Sequence, residues 1–79
     1  MSPVVFRHGA FSFLFFSREE ARVHVHVLHP DGEAKIWLDP SIEVARNHGL
    51  SSKAINNVLQ LVREHEDEIR GAWKTHFER

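Results

Sequence analysis

Hydrophobic and polar side chains alternate in the segment Arg22–His29, with Leu28 as the exception, and this period of two is that of a β-strand. The three valines of this stretch fall on one face, whereas Arg22, His24 and His26 fall on the other. The pattern therefore predicts a strand whose valines are buried beneath a helix and whose imidazole rings face outward.

Other segments of the first 50 residues have the β-branched and aromatic composition, or the alternation, of strands. Four further strands are predicted, the last of them weakly: Val4–His8, Ala10–Ser17, Glu33–Asp39 and Ser41–Arg46. Proline and glycine predict a turn at Pro30-Asp31-Gly32, and a second turn is predicted at Asn47-His48-Gly49. The chain is therefore expected to form an antiparallel sheet of three to five strands.

The turn at Pro30-Asp31 allows two registers between the strands that flank it. A two-residue turn pairs His26 with Lys35 and His24 with Trp37, whereas a turn with a glycine bulge shifts the pairing by one residue. Turn chemistry favours the bulge. Burial favours the first register, because it gathers the valines with the apolar face of the next strand. We expect the first register, since burial usually outweighs turn preference, and the bulge is the alternative.

The C-terminal part of the chain predicts one long helix. Ser51 can cap its first turn, and apolar residues repeat at helical spacing before and after a polar interruption at 65–68. A helix of about 26 residues is roughly 39 Å long, whereas a strand of five residues spans roughly 17 Å. We therefore expect the last turns, which carry Trp73 and Phe77, to overhang the sheet, fray or pack on another chain.

These elements predict an α+β fold in which one long C-terminal helix packs on one face of the sheet, with residues 1–79 forming a single domain. The second strand is apolar on both sides, and one helix cannot cover both faces of a sheet. Either strong twist or a folded-over loop covers the second side, or that side meets a partner. On the second interpretation we predict an interface that includes Leu14, Phe16, Trp73 and Phe77.

Composition excludes several classes of function. The chain has no cysteine, so disulfides and thiolate metal sites are excluded. The apolar run at 11–16 is too short for a signal peptide or a membrane helix, and we expect a cytoplasmic protein with no membrane association. The net charge of −1 gives no overall electrostatic attraction to nucleic acid, although a local patch could still bind it. No cofactor is predicted.

The two histidines of the alternating strand suggest chemistry that depends on imidazole. His24 and His26 could bind a metal ion together with a third ligand from His8, Glu33 or His29. Imidazoles at this spacing are also common on ordinary solvated strands, and the chain has seven histidines. No complete metal site is therefore predicted.

A second hypothesis concerns nucleic acid. His24 and His26 could act as catalytic acid and base, while Arg22 and Lys35 stabilise phosphoryl charge. Trp37 could stack on a base. A solvated sheet face on which Trp37 covers apolar area is the simpler interpretation, because the sequence shows no wider basic stripe.

Several segments together carry a family resemblance: Val-His-Val-His-Val, Gly-Glu-Ala-Lys-Ile-Trp-Leu-Asp-Pro, Val-Ala-Arg-Asn-His-Gly-Leu-Ser, Val-Arg-Glu-His and Ala-Trp-Lys-Thr-His-Phe. From Phe6 to Phe77 the chain resembles the bacterial family of domain of unknown function 4160. The resemblance implies a small partner protein encoded by a neighbouring gene, and a place as the toxin half of a toxin–antitoxin-like pair.

Three functions are thus expected in order of preference. The first is a protein-interaction module that binds the neighbouring gene's product, a second copy of itself, or both. The alternatives are a small RNA-acting enzyme or nucleic-acid binder, and a metal-binding domain based on histidine.

Overall fold

The computed structural model describes residues 4–16 and 21–77. Within these residues five strands pair antiparallel in chain order, each with its neighbour in sequence. The strands are β1 (Val4–His8), β2 (Phe11–Leu14), β3 (His24–His29), β4 (Gly32–Trp37) and β5 (Glu43–His48). Two helices follow, α1 (Ser52–Glu64) and α2 (Glu66–Phe77). The predicted α+β class and antiparallel sheet are confirmed, whereas the single long helix is wrong.

The helical segment divides at His65, inside the predicted polar interruption. Its backbone leaves helical geometry (φ −108°, ψ 18°), although its N–H still donates to the Leu61 carbonyl. The His65 ring stacks on Phe6 with centroids 4.0 Å apart, and its Nδ1 lies 2.9 Å from the Glu68 carboxylate. Three acidic residues then occupy the first turn of α2, where the helix dipole favours negative charge. The local sequence therefore favours a new helix start at this point.

The break changes the position of the aromatic residues near the C-terminus. The Trp73 side chain is only 4% exposed, and its ring meets Phe15 edge-on with centroids 5.4 Å apart. Phe77 is half-buried and lies 4.2 Å from Trp73, centroid to centroid. The expected overhang is therefore wrong. Both residues pack within the chain, and the reason for assigning them to an interface no longer applies.

The hairpin between β3 and β4 has the register that burial favoured. His24 pairs with Trp37 and His26 with Lys35 across the two-residue turn Pro30-Asp31. On the other face, the valines join the apolar side chains of β4 in the core. The fully buried apolar residues of the strands and helices are Phe13, Val25, Val27, Ile36, Val58, Val62 and Ile69.

The last strand has the predicted length of six residues but lies two positions later in the chain, at Glu43–His48 instead of Ser41–Arg46. β5 extends through Asn47 and His48, which pair with Ala34 and Glu33, so the predicted turn at these two residues is wrong. The Asn47 side chain bonds both the backbone N–H and the carbonyl of Leu50, at 3.1 and 2.9 Å. These two bonds connect the end of β5 to Leu50, the residue before the N-cap of α1, so the Asn47 side chain stabilises the turn that follows the strand.

Helices α1 and α2 pack on the face of the sheet that carries the valines. We call the other face the open face, defined by the residues of each strand that point away from the helices. Among these, the predicted interface residue Leu14 is almost buried, at 6% exposure. None of the helices in the described segments is long and apolar enough to cross a membrane.

Arg70 connects α2 to the segment that follows β4. Its guanidinium lies 2.9 Å from the Asp39 carboxylate and 2.8 Å from the Glu66 carboxylate, and it donates to the Leu38 carbonyl at 2.9 Å. Hydrogen bonds to these two carboxylates raise the pKa of Arg70 above its usual value. The cation therefore keeps its charge and holds the two segments together.

Removal of the first helix cap is expected to cost about 1 kcal/mol of stability. The Ser51 hydroxyl accepts a hydrogen bond from the Ala54 N–H at 3.1 Å, and Ser51→Ala leaves that donor without its partner. Chemical denaturation of the two proteins measures the difference. Ser52→Ala, at the exposed first position of α1, is the control and is expected to change stability little. Equal effects of the two substitutions would contradict the assigned cap.

Candidate functional site

The open face contains a groove of about 220 Å³ over strands β3, β4 and β5. We call it the basic groove, because two cations and two imidazoles make up half of its lining residues. Its lining includes Phe16, His26, Leu28, Lys35, Arg46 and His48, with Glu33 at the end that bears His48. The groove is the place in the described structure where histidines and cations of three strands come together.

His24 does not face solvent, and the expectation that it does is wrong. Its ring is completely buried, with centroids 5.5 Å from Trp37 and 5.1 Å from Trp73. The Nδ1–H donates to the Arg22 carbonyl at 2.6 Å, because a carbonyl oxygen can only accept. In the neutral ring the proton is therefore on Nδ1. The rings of Trp37, Trp73 and His26 enclose His24, which is therefore out of reach of a ligand in solution.

His26 keeps a position from which it can meet a ligand. It is half-buried and lies between Leu14 on β2 and Lys35 on β4. Phe16 stacks on its ring with centroids 3.9 Å apart. His26 therefore forms the wall between the apolar and the basic parts of the groove.

Arg22, Lys35 and Trp37 are brought together as the sequence predicts, but mainly in contact with one another. The Arg22 guanidinium carbon and the Lys35 Nζ lie 4.0 and 4.4 Å from the centre of the Trp37 ring. Both distances are typical of cation–π contacts. Arg22 also donates to the Asp39 carbonyl at 2.6 Å and to the Glu43 carboxylate at 3.2 Å. The Trp37 ring therefore already has two partners inside the chain.

Arg46 and His48 belong to the groove, and the sequence analysis missed both. Arg46 pairs with Lys35 and His48 with Glu33, so the two side chains extend the groove onto β5. Arg46 forms no ion pair with any residue in the described ranges. The alternation of Arg46 and His48 was a signal for a shared strand face, but the predicted turn at 47–49 concealed it.

Among the residues that the structure describes, no third metal ligand joins His24 and His26. His8 lies on the edge strand β1, while the His29 Nδ1 accepts a hydrogen bond from the Asp31 backbone N–H at 3.0 Å. Across 4–16 and 21–77, no group of three His, Cys, Asp or Glu side chains could hold a metal ion. The metal-binding hypothesis therefore gains no support from the described part of the chain.

An apolar strip lies beside the basic groove on the open face. Val4, Phe16 and Leu28 are each between 38% and 40% exposed, and the nearly buried Leu14 pairs with Val4. We call these four residues the apolar strip. It crosses β1, β2 and β3 and joins the groove at Phe16 and Leu28. The open face therefore combines an apolar half with a basic half.

Comparison with known proteins identifies a family and nothing further. The family model for domain of unknown function DUF4160 matches residues 10–74, which include all of β2 to β5 and most of the helical region. Neither the curated proteins nor the solved structures give a significant match. Since the family model covers well over half of the sequence, the chain belongs to the DUF4160 family.

Proposed function

We propose that this chain is a protein-interaction module that binds a small partner protein on the open face of its sheet. The observation that carries the proposal is the apolar strip: Phe16 and Leu28 line the same groove, Val4 lies opposite Leu14 on the neighbouring strand, and Val4, Phe16 and Leu28 are each 38–40% exposed. Single exposed apolar residues are ordinary, but neighbouring ones on a sheet face are typical of an interaction surface. The chain leaves them on the side of the sheet away from both helices.

The partner we propose is the product of a neighbouring gene, and the pair is of the toxin–antitoxin type with this chain as the toxin. Such a partner would cover Phe16 and Leu28 in the complex. We place the pair in the cytoplasm, in keeping with the absence of cysteine. A second copy of this chain is the other occupant that the same surface fits.

Phe16→Asp is expected to weaken association with the co-expressed neighbouring gene product at least tenfold, which is about 1.4 kcal/mol. The carboxylate would have to be desolvated beneath the partner. Isothermal titration calorimetry measures the affinity, and light scattering of the isolated chain tests for a homodimer. Val44→Asp is the matched control, because Val44 is also 38% exposed but lies on edge strand β5 away from the apolar strip.

Two results would refute this proposal. One is an isolated chain that stays monomeric and shows no affinity for the neighbouring gene product. The other is a complex that both carboxylate variants weaken equally. A growth assay with the chain expressed alone tests the toxin role separately, and normal growth would remove that role while leaving partner binding intact.

Action on nucleic acid is a second candidate function, and one observation favours it. Lys35 and Arg46 are directly opposite each other on neighbouring strands, beside His26. A joint acid–base role for His24 and His26 is less favoured than the sequence suggested, because His24 is fully buried and cannot contact a substrate. Binding therefore has more structural support than cleavage.

A further inference from the structure

We propose that two copies of this chain associate through the outer edge of β5, which Glu43, Val44 and Arg46 make complementary to itself. The two β5 strands would pair antiparallel about a two-fold axis and join the sheets of both copies. This inference goes beyond partner binding on the open face. It does not depend on that proposal, because it concerns a different surface.

Strand β5 is one of the two edges of the sheet. Among the described strands only β4 pairs with it, and five of its six residues are exposed. An edge strand carries backbone N–H and C=O groups that can pair with a further strand. In such pairing the main chain supplies hydrogen bonds and the side chains supply specificity. The side chains of β5 therefore decide which strand fits this edge.

The backbone of Val44 points outward from the sheet edge. Successive residues of an antiparallel strand direct their N–H and C=O groups to alternate sides. The Leu38 N–H donates to the carbonyl of Val23, the residue before β3, at 2.9 Å, so Ile36, two residues earlier, also directs its groups towards β3. Val44 is opposite Ile36 on β5. Its N–H and C=O therefore point away from β4, in position to bond the same groups of a second copy.

The Val44 side chain is an exposed apolar group outside the apolar strip. It is 38% exposed, whereas its cross-strand partner Ile36 is fully buried, so Val44 lies at the rim of the core on the face that carries the helices. Apolar side chains directly opposite each other on neighbouring strands stabilise a sheet. A two-fold axis between the Val44 residues of the two copies would make them cover each other.

A β-bulge places one acidic and one basic side chain of β5 on the same face. Glu43 and Arg46 are opposite Trp37 and Lys35, which are two residues apart on β4. Both therefore point to the open face, although three positions separate them in the chain. Ala45 is the extra residue of the bulge. Without the bulge, the two charges would lie on opposite faces of the sheet.

An antiparallel second copy matches these two charges. With the Val44 residues opposite each other and Ala45 bulged in both strands, Glu43 of each copy faces Arg46 of the other. Arg46 forms no ion pair with a described residue. Glu43 meets Arg22 through one carboxylate oxygen, at 3.2 Å, which leaves the second oxygen for the other copy. The contact thus consists of an apolar pair flanked by two pairs of opposite charge.

The other edge of the sheet does not have this property. Strand β1 carries Arg7 and His8 but no carboxylate, so no register of two β1 strands forms an ion pair between them. Charge matching therefore favours β5 over β1 as the edge at which two copies meet.

The small size of the contact determines its strength. A standard protein interface has about 20–30 residues a side, whereas β5 supplies six. Exposed ion pairs add little affinity and act mainly on register and partner choice. We therefore expect a dimer with a dissociation constant on the order of 100 μM, which dissociates on dilution.

Val44→Asp is expected to raise the dissociation constant of this dimer at least tenfold, because two carboxylates would meet at the two-fold axis. Analytical ultracentrifugation of the isolated chain between about 10 μM and about 1 mM measures the constant. Val4→Asp is the matched control, since Val4 is 40% exposed on the other edge strand, and it should leave the dimer intact. Circular dichroism confirms that each variant is folded.

A charge swap between two variants tests the register. Glu43→Arg and Arg46→Glu each place like charges opposite each other in a dimer, so each variant alone should dimerise less than the unsubstituted chain. An equimolar mixture of the two should recover the dimer, because every opposed pair then has opposite charges. Mixing would not rescue a folding defect or the loss of the contact between Arg22 and Glu43.

Three results would overturn the inference. These are an isolated chain that stays monomeric up to about 1 mM, a dimer that Val4→Asp weakens as much as Val44→Asp, and a mixture of the charge variants that stays monomeric. Phe16→Asp separates this inference from the proposed function, since it should weaken partner binding and leave the β5 dimer intact. A dimer lost with Phe16→Asp but retained with Val44→Asp would place the second copy on the apolar strip instead.

Discussion

Trp73→Ala is expected to leave most of the chain unfolded at room temperature. Truncation of a buried tryptophan to alanine typically costs about 3–5 kcal/mol, and a core in a domain of this size supplies a similar total. The Trp73 ring packs on Phe15 and Phe77 and also reaches His24. Its loss would therefore open the contact between α2 and the sheet at several points.

Urea denaturation followed by circular dichroism measures this loss, and the fluorescence of Trp37, the remaining tryptophan, reports on the sheet independently. Lys74→Ala, at the next and exposed position of α2, should unfold at nearly the wild-type urea concentration. The Trp73→Phe protein should unfold at a urea concentration between those of Trp73→Ala and Lys74→Ala. A Trp73→Ala protein with a wild-type transition would show that α2 is not packed on the sheet.

Gly32→Ala is expected to destabilise the fold by about 3 kcal/mol or more, at the upper end of what overpacking costs. A Cβ on Gly32 would overlap the backbone carbonyl oxygen of His48 and would lie 3.0 Å from the Cα of Gly49. Backbone cannot rotate away as a side chain can. The β3–β4 turn would have to separate from the end of β5, beside the basic groove.

Gly71→Ala tests the same change of residue where there is space. No atom lies within 4 Å of a Cβ added to Gly71 on α2, so alanine should stabilise the helix by about 0.5–1 kcal/mol. The midpoint of thermal or urea unfolding should therefore fall for Gly32→Ala and rise for Gly71→Ala, relative to the unsubstituted protein. A tolerated Gly32→Ala would mean that the β3–β4 turn and the end of β5 are farther apart than described.

The sequence predicted the strand β3 and its register well, because both depend on local alternation and on burial of one face. It placed His24 and His26 on the same side correctly. It did not predict that His24 is enclosed, since that depends on Trp73 arriving from a helix 49 positions later in the chain. Strand alternation identifies a face but does not show what covers it.

The site was predicted only in part for a related reason. The sequence assigned Lys35 and His26 to the site because they belong to one hairpin, β3–β4, in which paired residues are close in sequence. Arg46 and His48 joined them through pairing of β4 with β5, and the turn-forming residues at 47–49 suggested that this strand ends earlier. The Asn47 side chain bonds the backbone of Leu50, while Asn47 itself pairs with Ala34 on β4, and that pairing between strands is what a local pattern cannot reveal.

The sequence by itself determined the class of fold, the order of its strands along the chain and the side of β3 that enters the core. These follow from periodicity and turn chemistry within short windows. Only the tertiary structure decided where the helix divides and which cations meet on the open face. His65 packs on Phe6 and Arg46 lies opposite Lys35, and both contacts form between segments whose local patterns carry no information about each other.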